Sequence, residues 1–284
     1  MTGIVSYGGY IPRLRLQRKA VATANSWFAP NLMGAAKGER AMANWDEDAI
    51  TMAVEAGRDC LPRADPLTAR RHIDAVFFAS TTAPFADRPI AAMDVGGSQR
   101  AATSALIAAL NAVKAGSSKH AVVLASEKRK AKAASSQELS FGDGAAALEI
   151  GSENVIARLL GHAALTVDFV DHFRSEGEDY DYNWEERWIR DEGYSKIVPR
   201  AVKAALGDAG IEPSAIDHFV MPCPFAKLDQ AIAKQCGIAP EKVRDSLAAN
   251  VGDTGAAHPI VMLVHALEQA RPGEKILIAD FGQG

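Results

Sequence analysis

Cysteine is scarce in this chain: Cys60, Cys223 and Cys236 are the only three in 284 residues, an odd number without metal-ligand pairing. That excludes a disulfide framework and a structural zinc site. An excess of charge of one sign is also lacking. Thirty-five acidic side chains against 31 basic ones leave a net charge of −4, so no overall field draws the chain to nucleic acid or to an anionic bilayer. Long hydrophobic runs are missing too. Segments such as Ala75–Ala79 and Ala121–Ala125 have strand length and fall far short of the roughly 18–20 residues that cross a membrane. The start, Met1-Thr2-Gly3-Ile4-Val5-Ser6-Tyr7, has no basic stretch leading into an apolar core, so it does not read as a signal peptide, and the expected location is the cytoplasm. What the chain does have is apolar side chain, 48% of residues, enough at this length to bury the cores of about two globular units.

The apolar segments are organised as a repeat. A helical stretch, Asp46–Leu61 (DEDAITMAVEAGRDCL), leads through a polar turn into His72-Ile73-Asp74-Ala75-Val76-Phe77-Phe78. Later, Tyr194–Ala209 (YSKIVPRAVKAALGDA) leads through Gly210-Ile211-Glu212-Pro213 into Ala215-Ile216-Asp217-His218-Phe219-Val220-Met221. Each copy reads helix, turn, Ile-Asp, strand. The match continues: Gly97-Ser98-Gln99 opens a helix to about Ala115 followed by the strand Ala121–Ser126, and Gly252-Asp253-Thr254 opens a helix to about Ala270 followed by the strand Lys275–Asp280. Strands without polar alternation, interleaved with amphipathic helices, predict mostly parallel sheets covered on both faces. The expected organisation is a first half over 1–174, an acidic aromatic connection over 175–193 and a second half over 194–284.

The copies differ in length. Thirty-six positions separate Asp217 from Asp253, but 25 separate Asp74 from Gln99. The second copy fills the difference with a helix, Lys227–Cys236 (KLDQAIAKQC); the first has only Phe85-Ala86-Asp87-Arg88-Pro89-Ile90. Either that helix is deleted or the sequence joins across absent residues. The second reading is preferred, because losing a helix would bare apolar faces, and it predicts a break or a very short connection near Asp87–Pro89. The connection, SEGEDYDYNWEERWIRDEG, with Tyr180, Tyr182, Trp184 and Trp188, reads as a solvated linker pinned by its aromatics. Lys128-Arg129-Lys130 with Lys132, after a strand, reads as a charged loop.

Local motifs then resemble one family. Met1–Arg13 (MTGIVSYGGYIPR), Gly38-Glu39-Arg40 and Asp46–Ala56 (DEDAITMAVEA) resemble the N-terminus of 3-hydroxy-3-methylglutaryl-CoA synthases, especially the archaeal type. Phe141-Gly142-Asp143-Gly144-Ala145-Ala146-Ala147 resembles the strand-turn motif of that family and of ketoacyl-ACP synthase III. Asp168-Phe169, Pro224-Phe225 with Lys227, Gly252-Asp253-Thr254 and Arg271–Leu277 come next in family order. On this ordered set, which covers nearly the whole chain, it is identified as a member of the thiolase superfamily. The resemblance implies an α/β thiolase-like fold of two similar halves in an α-β-α-β-α arrangement, and a homodimer formed through the first half. It implies a coenzyme A thioester as substrate or ligand, with no permanently bound cofactor and no metal. It also implies a thiolase and a small OB-fold/zinc-ribbon protein as partners, and a chain continuing past Phe281-Gly282-Gln283-Gly284 into at least one more strand.

The family's chemistry acylates a cysteine at the N-terminus of the first central helix, where the helix end lowers the thiol pKa and backbone N–H groups hold the oxyanion. By resemblance that position falls on Gln99, which cannot form a thioester. The family's glutamate falls on Thr81 or Thr82, its histidine on Pro222 and its asparagine on Asp253. Three residues could carry chemistry instead. Cys223, at a strand end that the resemblance turns toward the catalytic cavity, is a relocated nucleophile or a small buried apolar residue. His258, in a turn resembling the Gly-His-Pro turn of thiolases, is a proton-transfer group or a structural one. Gln99 can polarise a carbonyl. With Asp253 and His258 it suits the retro-aldol cleavage of β-hydroxyacyl-CoA known among thiolase-like proteins, which needs a base and an oxyanion hole but no thiol. Lys227 is the candidate phosphate contact for CoA, and Arg100, Thr81 and His172 complete the candidate substrate-binding set. The expected function is an acyl-CoA-handling enzyme that forms or cleaves a carbon–carbon bond, retro-aldol or Claisen type, by a non-cysteine route. The alternatives are a non-catalytic subunit that binds acyl-CoA or scaffolds a complex, and an acyltransferase using Cys223.

Overall fold

In the computed structural model, which describes residues 1–61, 73–85 and 92–282, each sequence copy builds a parallel strand pair in its own compact unit. The first unit is Met1–Arg158 with Leu247–Val261, and the second is Leu159–Ser246 with Met262–Gly284. The segment 247–261 thus packs with the first unit, although it comes after the second copy's strand in sequence. The short connection expected near Asp87–Pro89 lies outside the described residues.

The first unit contains β1 (Gly3–Tyr10), β2 (Leu14–Gln17), α1 (Arg18–Ala24), β3 (Glu39–Met42), α2 (Ala49–Cys60), β4 (Ala75–Ala79), β5 (Met93–Val95), α3 (Ala101–Ala115), β6 (Ala121–Glu127), α4 (Ser136–Ser140), β7 (Gly144–Gly151) and β8 (Ala157–Arg158). Six of the strands form one sheet in the order β5-β4-β6-β7-β1-β8. β5, β4 and β6 run parallel, but β7 is antiparallel to both β6 and β1, and β8 is antiparallel to β1. The expectation of a mostly parallel sheet is therefore corrected to a mixed one. The chain between β6 and β7 carries only the five-residue α4, too little for a crossover over the sheet, so β7 returns beside β6. Every residue of β7 is buried. β5 escaped the sequence pattern because it is a three-residue edge strand whose Met93 and Asp94 are exposed.

α2 starts where Asp48 accepts hydrogen bonds from the Ile50 and Thr51 N–H groups while Thr51 Oγ1 accepts from Asp48 N–H, a reciprocal cap. It buries Ala49, Met52, Ala53, Ala56, Gly57 and Cys60 at helical spacing. β1 approaches so closely that a Cβ on Gly8 would stand 2.3 Å from Cys60 N and 2.6 Å from Ala56 O. α3 turns Ala101, Ala102, Ala105, Leu106, Ala109, Leu110 and Val113 inward and ends at Gly116, left-handed at φ +77°. Burying each of its larger side chains is worth about 1.5–3 kcal/mol.

The second unit contains β9 (His172–Phe173) and β10 (Tyr182–Asn183), an antiparallel pair, followed by a helical turn at Glu186–Trp188, a π-helical turn at Ile189–Tyr194 and α5 (Ser195–Ala209). β11 (His218–Val220), α6 (Leu228–Gln235), the body of α7 (His258–Gln269) and β12 (Ile276–Ile278) complete it. α6 is the helix expected over Lys227–Cys236. β11 and β12 pair in parallel, as β4 and β6 do. Val198, Val202 and Leu206 of α5, Phe219 and Met221 around β11, and Ile232 of α6 form the core. The acidic connection is only half pinned. Trp188 stacks on Phe169 at 4.1 Å, whereas Tyr182 and Trp184 remain exposed.

The repeat has a shared start. In the first unit Asp74 accepts from Lys119 N–H at 2.8 Å and His120 N–H at 3.2 Å, tying the head of β4 to the head of β6. In the second, Asp217 accepts from Lys275 N–H at 3.0 Å at the head of β12. The Ile-Asp pair seen twice in the sequence is this strand-start clamp.

Candidate active site

Within the first unit, polar side chains converge beyond the carboxyl ends of β4 and β6, the side of a parallel sheet on which ligands bind. Register explains the first contact. Ala79 pairs with Ala125, which sets the residues after β4 beside the last residue of β6, Glu127. Glu127 is fully buried. It accepts from Thr81 N–H, from Thr81 Oγ1 at 3.2 Å and from Thr82 Oγ1 at 2.7 Å. Burial pushes its pKa up, and the Thr81 and Thr82 hydrogen bonds and the Arg129 charge oppose that only in part.

Two residues on, Arg129 is no loop charge. Its side chain is 5% exposed, with Cζ 3.6 Å from the centre of the Phe141 ring. Nη2 donates at 2.8 Å to both the Asp253 carboxylate and the Asp253 carbonyl oxygen. The charged-loop reading of Lys128-Arg129-Lys130 is corrected for Arg129: a planar guanidinium can stack on a ring and bond two oxygens while buried, and a run of basic letters does not reveal that.

Asp253 is positioned by backbone. Asp253 N–H donates to Ser140 O at 2.8 Å, and Gly142 N–H donates to Asp253 O at 2.9 Å. The neighbouring Gly252 has φ +86°, and a Cβ there would stand 2.8 Å from Ser140 O. Only glycine fits so tight a left-handed position. Burial works to raise the Asp253 pKa, but Arg129, His258 and the Gly255 N–H outweigh it and hold the carboxyl at about 2. Asp253 is therefore a carboxylate at neutral pH, and its side chain keeps 37% exposure.

Gly255, at φ +57°, is the floor of the cluster. A methyl group on it would stand 2.8 Å from Arg129 Nε and 2.9 Å from Gln99 Oε1. Gln99 and Arg129 thus meet over a bare α-carbon. His258 is 3% exposed at the head of α7, and its Nδ1 accepts from the Thr254 backbone N–H at 3.2 Å and lies 3.0 Å from Thr254 Oγ1. A backbone N–H pointing at Nδ1 leaves the ring proton on Nε2, so neutral His258 offers a donor there.

The structure therefore brings Gln99, Asp253 and His258 together, and joins Thr81 to them through Glu127 and Arg129. Arg100 is half-buried at the N-cap of α3, beside Gln99 in sequence, and its N–H donates to Ser98 Oγ. Three expected residues belong to the second unit. Burial pushes the Cys223 thiol up to about 12, and it donates to Phe225 O at 3.6 Å, so thiolate is scarce at neutral pH, contrary to what a nucleophile needs. His172 Nδ1 lies 2.8 Å from Asp171 Oδ2. Lys227 is exposed, left-handed at φ +63°, at the N-cap of α6. Glu127 and Arg129 were missed. The available signal was a lone carboxylate ending an otherwise uncharged strand, AVVLASE, with a cation two positions on and so on the same side of an extended chain.

Comparison with known proteins bears on the fold and the family. Residues 206–284 match the model of the 3-oxoacyl-[acyl-carrier-protein] synthase III C-terminal family. The chain is 30% identical to a hydroxymethylglutaryl-CoA synthase of Caldivirga maquilingensis, over 99% of this chain and 84% of that protein. It is 30% identical to the corresponding protein of Pyrococcus horikoshii, over 99% and 83%. The crystal structure of 3-oxoacyl-(acyl carrier protein) synthase III from Pseudomonas aeruginosa matches with a TM-score of 0.84 at 20% identity, covering 99% of this chain and 94% of that one. The Aquifex aeolicus synthase III matches with a TM-score of 0.80 at 18% identity, over 100% and 96%. These likenesses make the fold a thiolase-like α/β fold. No helix among the described residues is long and apolar enough to cross a membrane.

Proposed function

Since this chain belongs to the hydroxymethylglutaryl-CoA synthase family, we propose that it acts on coenzyme A thioesters and makes or breaks a carbon–carbon bond without an acyl-cysteine intermediate. The observation that carries this reading is the meeting of Gln99 and Arg129 over Gly255, with Asp253 fixing the guanidinium. A thioester carbonyl that gains negative charge as a carbon–carbon bond breaks needs preorganised donors, and each such donor typically lowers the barrier by about 3 kcal/mol. The Gln99 amide, the Arg129 charge and the His258 Nε2–H are of that kind. None of them forms a thioester, and the Cys223 thiol is held in its protonated form.

The reaction that suits such a set is retro-aldol cleavage of a β-hydroxyacyl-CoA to a carbonyl compound and a shorter acyl-CoA, or its reverse. Arg100, next to Gln99 at the head of α3 in the same unit, is the proposed contact to the rest of the substrate. Incubating the protein with a panel of β-hydroxyacyl-CoAs and measuring both products tests the reading. Turnover that falls at least tenfold in Gln99→Ala is the expected result; no turnover with any panel member, alone or with partners, contradicts it.

A second reading is a scaffold or acyl-CoA-binding subunit in a complex with an OB-fold/zinc-ribbon protein and a thiolase. It is favoured by Trp27, Phe28 and Met33 of the first unit, which are 85%, 70% and 45% exposed, more apolar surface than a short segment ordinarily leaves to water. The three-residue edge strand β5, with Met93 exposed, supports a homodimer through the first half.

A further inference from the structure

Retro-aldol chemistry needs a base for the β-hydroxyl, and the donors Gln99, Arg129 and His258 do not supply one. The described groups of the first-unit site can be taken in turn. Asp253 is held as a carboxylate at about 2 by Arg129 and is too weak a base for work near neutrality. His258 spends its Nδ1 lone pair on the Thr254 N–H. Gln99 and Arg129 are not bases. Asp143, a third carboxylate near Arg129, is also pushed up by burial, but its Oδ2 accepts from the Ala43 N–H at 2.8 Å. Glu127 remains, joined to two hydroxyls, and its surroundings push it the opposite way from Asp253. Carboxylates near one guanidinium, some driven toward the proton and one away from it, are the pattern by which a site divides acid–base work from electrostatic work.

Glu127 is out of reach of a substrate, but its link to the site is not. Thr82 Oγ1 is committed, donating to Glu127 and accepting from Lys128 N–H at 3.0 Å. Thr81 Oγ1, on a half-exposed residue, lies 3.2 Å from the carboxylate. We propose that Glu127 and the Thr81 hydroxyl form a proton relay, in which Thr81 touches the substrate hydroxyl and Glu127, acting through it, stores the proton.

The step balances, and it rests on the reading of this site as one that makes or breaks a carbon–carbon bond. Thr81 Oγ takes the β-hydroxyl proton as its own proton passes to Glu127. The C–O bond becomes C=O, the Cα–Cβ bond breaks, and its electron pair becomes the thioester enolate. Glu127 then returns the proton through Thr81 to the enolate carbon, giving the shorter acyl-CoA and leaving Glu127 as a carboxylate. The groups around Glu127 that govern its titration are few. Arg129 is the charged one; Thr81 and Thr82 come just after β4; and Gly144, its partner in β7, brings no charge.

The test uses Thr81→Ser, Thr81→Val and Glu127→Gln in the whole chain, each checked for an unchanged circular-dichroism spectrum. The pH profile of kcat/KM for β-hydroxyacyl-CoA cleavage is the readout. Thr81→Val is expected to lose about 100-fold in kcat with KM nearly unchanged and to lose the limb of the profile that reports the base, as is Glu127→Gln, while Thr81→Ser retains most activity and the limb. A Thr81→Val enzyme with the wild-type profile overturns the relay while leaving the carbon–carbon bond reading intact. An activity-independent measurement separates the two ideas. In protein labelled with carbon-13 at the glutamate carboxyl, the Glu127 signal should titrate above the ordinary range and shift in Thr81→Val. If it stays ionised down to pH 4 in both proteins, the relay is wrong whatever the enzyme turns over.

Discussion

Asp74 and Asp217 do the same thing in the two units, each holding a backbone N–H at the head of the neighbouring parallel strand. The opposite strand ends have nothing in common. At the end of β6 and just beyond it the first unit has Glu127 and Arg129, tied to Thr81, Thr82 and Asp253. Beyond β11 and β12 the second unit has a protonated thiol at Cys223 and rings: Phe281 lies 4.3 Å from Tyr194, which lies 5.7 Å from Phe225. A duplicated fold keeps the residues that start its strands, because every copy needs register. It is free to change the residues beyond their carboxyl ends, because in parallel sheets those ends position ligands rather than backbone. The first unit has used that freedom for buried charge and the second for aromatic packing.

Removing Arg129 should break this contrast most severely. Arg129→Met takes the shared guanidinium from the Asp253 carboxylate and from fully buried Glu127, and a loss of about 3 kcal/mol in stability is expected, read by urea denaturation. Arg129→Lys should recover less than half of it, because an ammonium neither stacks flat on Phe141 nor holds the same geometry against two Asp253 oxygens. Next in size is Gly255→Ala, whose Cβ needs a left-handed backbone and the space of Arg129 Nε and Gln99 Oε1. A loss of about 1–2 kcal/mol is expected, with turnover falling further than stability accounts for.

Asp74→Ala and Asp217→Ala sharpen the other side of the comparison. Each should cost about 1 kcal/mol and leave the acyl-CoA chemistry unchanged; a large kinetic effect of either would place function at the strand heads. The smallest expected effect is in acid. The Asp253 carboxyl sits at about 2 in the folded chain against an ordinary 3.8, so its ion pair favours folding above about pH 4, and that contribution is lost as the pH falls toward 2. Asp253→Asn should lower the melting temperature at pH 5 and lose less than wild type between pH 4 and pH 2.

The repeat, the paired Ile-Asp clamps and α6 were legible in the sequence because apolar periodicity and turn residues are local signals. The antiparallel β7 was not, since strand direction depends on the length and packing of a connection that carries no pattern of its own. Among the candidate residues, Gln99, Asp253 and His258 were singled out by their places in motifs that resemble the thiolase superfamily, and the fold sets them in one cluster around Gly255. Glu127 and Arg129 were hidden because burial of a charge is decided by its partners, Thr81, Phe141 and Asp253, which lie from 12 to 124 positions away in the chain.

If the charged cluster of the first unit, and no thiol, carries the chemistry, turnover survives the loss of all three cysteines. The direct test is cleavage of β-hydroxyacyl-CoA by the variant Cys60→Ala, Cys223→Ala, Cys236→Ala, measured beside wild type with intact-mass spectra taken during turnover. A kcat within about threefold of wild type and no acyl adduct on either protein are expected, since the substitutions remove packing and two weak sulfur contacts, Cys60 Sγ to Ser6 Oγ and Cys223 Sγ to Phe225 O. An acyl adduct on wild type that disappears together with activity in the triple variant would contradict it.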